Sequence, residues 1–234
     1  MRFLQIMIWL ALCVATNTFA DTPSDLYVVY DVLKDTIKVG QIEEVYTRDK
    51  DHYTLSSTLT PVGLLALFKP DKIVITSHGL ADVYGLKPLS FNDQREHDES
   101  RTSHADFAWD TAQLVLANQG QRTVLPLPKG TQDRLSVMYQ FMFLPVQKVS
   151  QISFPMTNGK KLDDYQYSVS IPQKIKTPAG EFDVVYLDNH AKPGEHRSEI
   201  WLATQYYNLP CKMTITDGKG DQLTQVLTKL QIKP

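Results

Sequence analysis

Apolar and polar residues alternate with period two over much of this chain. Between positions 52 and 60, Tyr53, Leu55, Ser57 and Leu59 alternate with His52, Thr54, Ser56, Thr58 and Thr60. That is the pattern of a strand with one face in a core and the other in water. Similar runs fall at 26–33, 37–47, 73–77, 165–171, 182–187, 212–216 and 224–232. Turn chemistry lies between them. Asn158 with Gly159, and Asp217 with Gly218, tolerate the positive φ of tight hairpins, and Pro178, Ala179 and Gly180 mark another turn. Short strands punctuated this way predict a mainly β fold: a curved antiparallel sheet, half-barrel or barrel-like, with one or two short helices.

The helices are predicted where the alternation stops. At 61–69, Thr60 is a candidate N-cap and Pro61 a first helical residue, followed by Val62, Leu64, Leu65, Ala66, Leu67 and Phe68. This segment is apolar on every side, whereas an amphipathic helix spares one face for water. It suits a plug inside the sheet, a lid over an apolar cavity, or a docking patch. At about 1.5 Å per residue it is too short to span a bilayer. The second helix comes after Pro126, Pro128 and Gly130, within 131–144. Leu135, Met138, Tyr139 and Met142 share one face, Asp133 lies in the first turn and Pro145 ends it. Asp133 and Arg134 are placed to pin this helix to the sheet through charge-assisted bonds.

The first 20 residues read differently. Arg2 precedes an apolar run from Phe3 to Ala15, then a short polar tail ending at Ala20. This is the layout of a cleavable secretory signal peptide at 1–20. The run is shorter than the roughly 20 residues a spanning helix needs, so no transmembrane span is expected after its removal. Leu12 is too bulky to precede a lipidated Cys13. The remainder of the chain, 21–234, is expected to be a single β-rich periplasmic domain. Its one thiol, Cys211, sits in an alternating apolar stretch and reads as buried and inert.

Composition narrows the function classes. With 42% hydrophobic and 21% charged residues the chain is neither disordered nor fibrous. A formal net charge of −2 leaves no basic excess for gripping phosphates, so nucleic acid is not an expected partner. The polar stretch at 92–106 holds His97 and His104 among Asp93, Glu96, Asp98, Glu99 and Asp106 and reads as a long exposed loop. No His-x-x-x-His or paired-cysteine spacing fixes a metal geometry, so no metal or cofactor is assigned. A second cluster, Asp188, His190, Glu195, His196 and Glu199 around Gly194, offers a histidine–carboxylate pair but no Gly-x-Ser-x-Gly nucleophile elbow.

An ordered set of local sequences adds to this. A tyrosine-rich first strand leads to Val39 and Gly40, and Ser77, His78 and Gly79 lead to Gly85, Leu86, Lys87 and Pro88. Gln132 to Ser136 with Tyr139 come next. Thr177 to Phe182, then Ile200 to Ala203, and Leu209 with Pro210 complete the set. Together these resemble an exported bacterial family known as domain of unknown function 3108. The resemblance implies a periplasmic, largely β protein of undetermined activity and carries over no catalytic residue. The expected architecture is also similar to that of curved-sheet carriers that shuttle lipoproteins across the periplasm.

The expected role is therefore a binding or carrier module for an apolar, lipid-like group in the cell envelope. The ligand would be met by Leu64, Leu65, Leu67, Phe68, Met138 and Met142. A hydrolase of envelope polymers is the alternative of a different class; it predicts a cleft containing His190 or His196. A third is a pocketless scaffold that meets an envelope protein through a sheet edge or the apolar helix.

Overall fold

The computed structural model describes residues 22–68, 70–192 and 194–233; the expected signal peptide lies outside the described residues. The first half of the chain forms β1 (Asp25–Lys34), β2 (Ile37–Asp49), β3 (His52–Pro61), β4 (Ile73–Asp82), β5 (Gly85–Arg95), β6 (Ser103–Ala108), β7 (Gln113–Asn118) and β8 (Gln121–Pro126). The second forms β9 (Gln132–Asp133), β10 (Gln151–Thr157), β11 (Leu162–Thr177), β12 (Gly180–Asp188), β13 (Arg197–Ala203), β14 (Leu209–Thr216) and β15 (Gln222–Lys233). Two helices interrupt them, α1 (Leu64–Phe68) and α2 (Ser136–Gln140).

All fifteen strands belong to one sheet, ordered β8-β7-β6-β5-β4-β3-β2-β1-β15-β14-β13-β12-β11-β10-β9. Each half is an antiparallel meander, and β1 pairs with β15 to join them in the middle, Asp25 opposite Lys233. Among the described residues only the two-residue β9 runs parallel to its neighbour, β10. The expected curved antiparallel sheet is what forms, and it stays unclosed. Register shifts at Val29/Tyr30, Val32/Leu33, His78/Gly79 and Trp201/Leu202 mark irregularities where strands bend and twist more sharply. At one of them only glycine fits: a Cβ on Gly79 would lie 2.3 Å from the Lys87 carbonyl oxygen and 2.7 Å from the Tyr53 ring.

Side-chain bonds tie the β10–β9 end of the strand order to β4, β5 and β6, with which the backbone ladder does not pair it. Gln132 Nε2 donates to the Leu86 carbonyl (2.8 Å), Ser77 Oγ to Asp133 Oδ2 (2.5 Å), and Ser103 Oγ to the Asn158 carbonyl (3.0 Å). Arg134 pairs with Asp93 at 2.9 Å. Residues of β9 and its flanks thus meet β4, β5 and β6, far from them in strand order.

The interior is filled by the segment from Leu135 to Phe143. Tyr139 and Met142 pack with Leu26, Val28, Tyr46, Tyr53 and Leu55. Phe141 packs instead with Leu187, Ile200 and Leu202. A third cluster, with Phe91, Phe107, Leu114 and Leu116, lies under β5–β7. The alternation of β3 is realised as expected, with Tyr53, Leu55 and Ser57 buried. Cys211 is free and buried, and burial pushes its thiol up to about 12.

Two local expectations are corrected. Pro61 does not begin a helix; β3 continues through it, paired with Gly40, and α1 is only five residues long. The stretch 92–106 is not one long loop. Its beginning extends β5 to Arg95 and its end starts β6 at Ser103, because Asp93 and Ser103 face inward as a paired register position. Among the described residues no helix is long and apolar enough to cross a membrane.

Candidate functional site

A cleft of about 580 Å³ opens where the β4–β5 hairpin faces β10. Small-molecule sites commonly occupy about 300–1,000 Å³. Its apolar wall comes from Val137 and Phe141, buried in the interior segment, from Leu144 just after it, and from Ile152 and Phe154 of β10. The opposite wall is the hairpin, Asp82 to Lys87, with Trp109 beyond it; Lys129, Gly130 and Gln132 of the β8–β9 crossover close one end.

These walls are held by specific bonds. Gln140, at the end of α2, accepts the Leu86 N–H at Oε1 (2.6 Å) and donates from Nε2 to the Tyr84 carbonyl (3.2 Å). The hairpin tip is thereby clamped to the helix. Gly85 sits between them at φ 132°, where an added Cβ would come within 2.2 Å of the Gln140 side chain. Asp82 Oδ1 accepts the N–H groups of Tyr84 (2.7 Å) and Gly85 (3.1 Å), so its carboxylate is engaged in the turn. Trp109 Nε1 donates to the Pro88 carbonyl (2.6 Å), its ring stacks on Phe107, and Lys87 Nζ lies 5.3 Å from the ring centroid. Phe154 packs against Phe141, Tyr165 and Tyr167. Gln132 Oε1 is buried and finds no donor among the described residues.

Behind the cleft lies a buried polar network that fixes the interior segment. Asp133 Oδ1 accepts the Leu135 and Ser136 N–H groups (2.9 and 2.8 Å), and Oδ2 accepts from Ser77, whose hydroxyl also meets Tyr53. Burial raises its carboxyl above the usual range despite these donors. Glu44, also buried, accepts from Ser57 (3.0 Å) and Tyr139 (2.9 Å), and burial raises it likewise. Ser136 Oγ accepts the Asp133 N–H and returns a bond to its carbonyl, so it is a local brace.

The sequence-predicted ligand residues lie elsewhere. Leu64, Leu67 and Phe68 are 76%, 77% and 80% exposed on α1, outside the cleft lining, near the start of β2 where Ile37 is also exposed. The side chain of Leu65 lies outside what is described. Met142 is buried in the central core, and Met138 packs against both that core and the β11–β13 cluster. Sequence reasoning found the interior segment but not Val137, Phe141 and Leu144 as its cleft-facing residues.

The polar clusters also resolve. His97 pairs with Asp71, and His104 lies between Asn92 and Asp106, so the two histidines do not share a partner. Among the described residues no three metal-ligating side chains converge. Ser168 Oγ lies 2.6 Å from His190 Nε2, and His190 Nδ1 lies 3.4 Å from Asp188 Oδ2. This has the order of a hydrolytic triad but not its geometry. Asp188 is instead saturated by Arg197 Nε (3.2 Å) and Nη2 (2.5 Å), the His190 N–H (2.8 Å) and the Tyr186 hydroxyl (3.2 Å). Its buried carboxyl is pushed up by burial, but these donors and the Arg197 charge outweigh that and hold it below the usual range. His190 is exposed at φ 47°, and the lining of the cleft contains no histidine.

A solved structure shares the fold. A β-barrel-like protein of domain of unknown function DUF1849 from Brucella abortus superposes with a TM-score of 0.60 at 12% identity, covering 91% of this chain and 99% of its own. A suspected lipoprotein from Parabacteroides distasonis (11% identity, 90% and 96% covered) reaches only 0.36. A suspected exported protein from Bacteroides fragilis (10% identity, 90% and 97% covered) reaches 0.34. The last two scores carry no argument. No protein of curated function matches. The model of one family, described as a protein of unknown function (DUF3108), matches residues 26–228, nearly all of the described chain, and the chain belongs to that family.

Proposed function

We propose that this protein is an exported envelope module that binds an apolar, lipid-like group in the cleft between the β4–β5 hairpin and β10. The observation that carries this reading is the cleft itself. Leu144, Ile152, Phe154 and Trp109 leave apolar surface facing an open volume of about 580 Å³, with the buried Val137 and Phe141 behind them. Filling it with an apolar ligand removes that surface from water, a gain of about 25 cal/mol per Å². The wall is held by the Gln140 bonds to the hairpin and by the buried bonds of Asp133, so the site is formed before a ligand arrives. The leader pattern at 1–20 supports export, and the periplasm is where the module would work.

Uptake of an apolar fluorescent probe, with mass spectrometry of gently purified protein, tests this. Leu144→Gln with Ile152→Ser, both partly exposed cleft positions, should weaken uptake at least about tenfold, since each loses a substantial part of its burial gain. Leu64→Ser/Leu67→Ser/Phe68→Ser should leave it unchanged. Absence of both bound apolar molecule and probe uptake would overturn the proposal.

A further inference from the structure

The cleft is not uniformly apolar. Lys87 on the hairpin and Lys129 on the crossover both line it, and neither makes an ion pair among the described residues. The acid in the lining, Asp82, is turned into its own hairpin by the Tyr84 and Gly85 N–H groups. Lys87 is held over the Trp109 ring, so its ammonium stays at the wall that faces Ile152 and Phe154 across the cleft. A purely apolar occupant would leave both cations without a counter-charge. By contrast, the depression of about 660 Å³ beside β5 mixes Lys72 and Arg95 with Glu96 and Glu99, which balance one another.

We infer that the occupant is a single-chain amphiphile with an anionic head, a carboxylate or a phosphate ester. The head lies at Lys87 and Lys129, and the chain runs along Leu144, Ile152 and Phe154. The inference rests on the apolar-ligand reading above and adds the head. Both lysines are exposed, so their contribution is screened by salt and shows as selectivity more than as total affinity.

Calorimetric titration of the full mature chain with dodecanoate, dodecyl phosphate and neutral dodecanol, each kept monomeric, separates the two readings. At low salt at least one anion should bind about tenfold more tightly than dodecanol, within what two exposed ion pairs can supply. The more tightly bound anion identifies the head as carboxylate or phosphate. In K87Q/K129Q that preference should vanish, so that the anions and dodecanol bind alike; the substitutions are at the surface and should leave the melting temperature unchanged. Equal binding of neutral and anionic chains overturns the head assignment and leaves the apolar reading standing. An anion preference that survives K87Q/K129Q also overturns the assignment. Failure of all three probes overturns both readings.

Discussion

Asp133 and Asp188 are both buried aspartates, yet they titrate in opposite directions. Asp133 receives hydrogen bonds from Ser77 and from two backbone N–H groups. Asp188 receives one backbone N–H, a tyrosine hydroxyl and the guanidinium of Arg197. Burial raises the first above the carboxylate range, while the second is held below it. Three neutral donors do not offset the loss of water around a charge, whereas a cation with two N–H groups does. The placements differ accordingly. Asp188 reinforces β12 and β13, which the ladder already pairs through Asp188 and Glu199. Asp133 joins β9 to β4, which no ladder pairs. The less stable carboxylate makes the connection that backbone bonding leaves unmade.

Asp133→Ala should give the largest loss of stability. It removes the acceptor for Ser77 and for the two N–H groups opening the interior segment, leaving buried donors unsatisfied, so about 3–4 kcal/mol is expected in urea unfolding. The pH dependence has a definite sign. Because the folded carboxyl is raised, the native state binds more protons than the unfolded state between the ordinary Asp value and the folded one. The wild-type contribution therefore rises as pH falls through that window, and the gap to Asp133→Ala widens. A gap that narrows instead would show that Asp133 is paired with a cation in solution.

Arg197→Gln reverses the other side of the comparison. Arg197 is 44% exposed, so water screens part of what its removal costs. About 1–2 kcal/mol is expected, below the value for a fully buried pair. In the wild type the folded Asp188 value is depressed. Its contribution is therefore complete above the ordinary Asp value and is lost as pH falls through the folded one. The gap between wild type and Arg197→Gln should narrow below about pH 4, the ordinary Asp range. In the variant, Asp188 should titrate above that range, as Asp133 does; an NMR carboxyl titration reads this directly.

How much of the molecule was legible in the sequence depends on where the information lies. Strands with clean alternation, such as His52–Pro61, declared themselves because each buries one face. β8 did not, since as an edge strand most of it is exposed, and β10 carries Pro155 at an edge position. That Asp133 and Arg134 tie the interior segment to the sheet was readable from their charge at its start, but their partners Ser77 and Asp93, remote in sequence, were not. The cleft was not readable. Lys87, Trp109, Lys129, Phe141 and Phe154 come from five separate stretches, and the curl of the sheet gathers them. No periodicity within any one of those stretches records it. Leu64, Leu67 and Phe68 attracted notice by local apolarity, yet α1 lies at a strand end where nothing among the described residues covers it.

The smallest expected effect concerns a hydroxyl with no donor or acceptor to meet. Tyr46 and Tyr139 stack with ring centroids 5.5 Å apart, both fully buried. Tyr139 donates to Glu44, whereas the Tyr46 hydroxyl has no partner among the described residues. Tyr46→Phe keeps the stack and removes only an unsatisfied group, so it should be neutral or stabilise by up to about 1 kcal/mol. Tyr139→Phe is the control of opposite sign. It takes one of two neutral donors from Glu44, a carboxylate already raised by burial, and should destabilise. That loss should shrink as the pH is lowered, because Glu44 in the variant protonates at a higher pH and the native state then holds no unpaired charge. If both phenylalanine variants lose stability equally at neutral pH, the stack and not the hydrogen bond fixes this part of the core. The parallel drawn between Glu44 and Asp133 as carboxylates held by neutral donors would then fail.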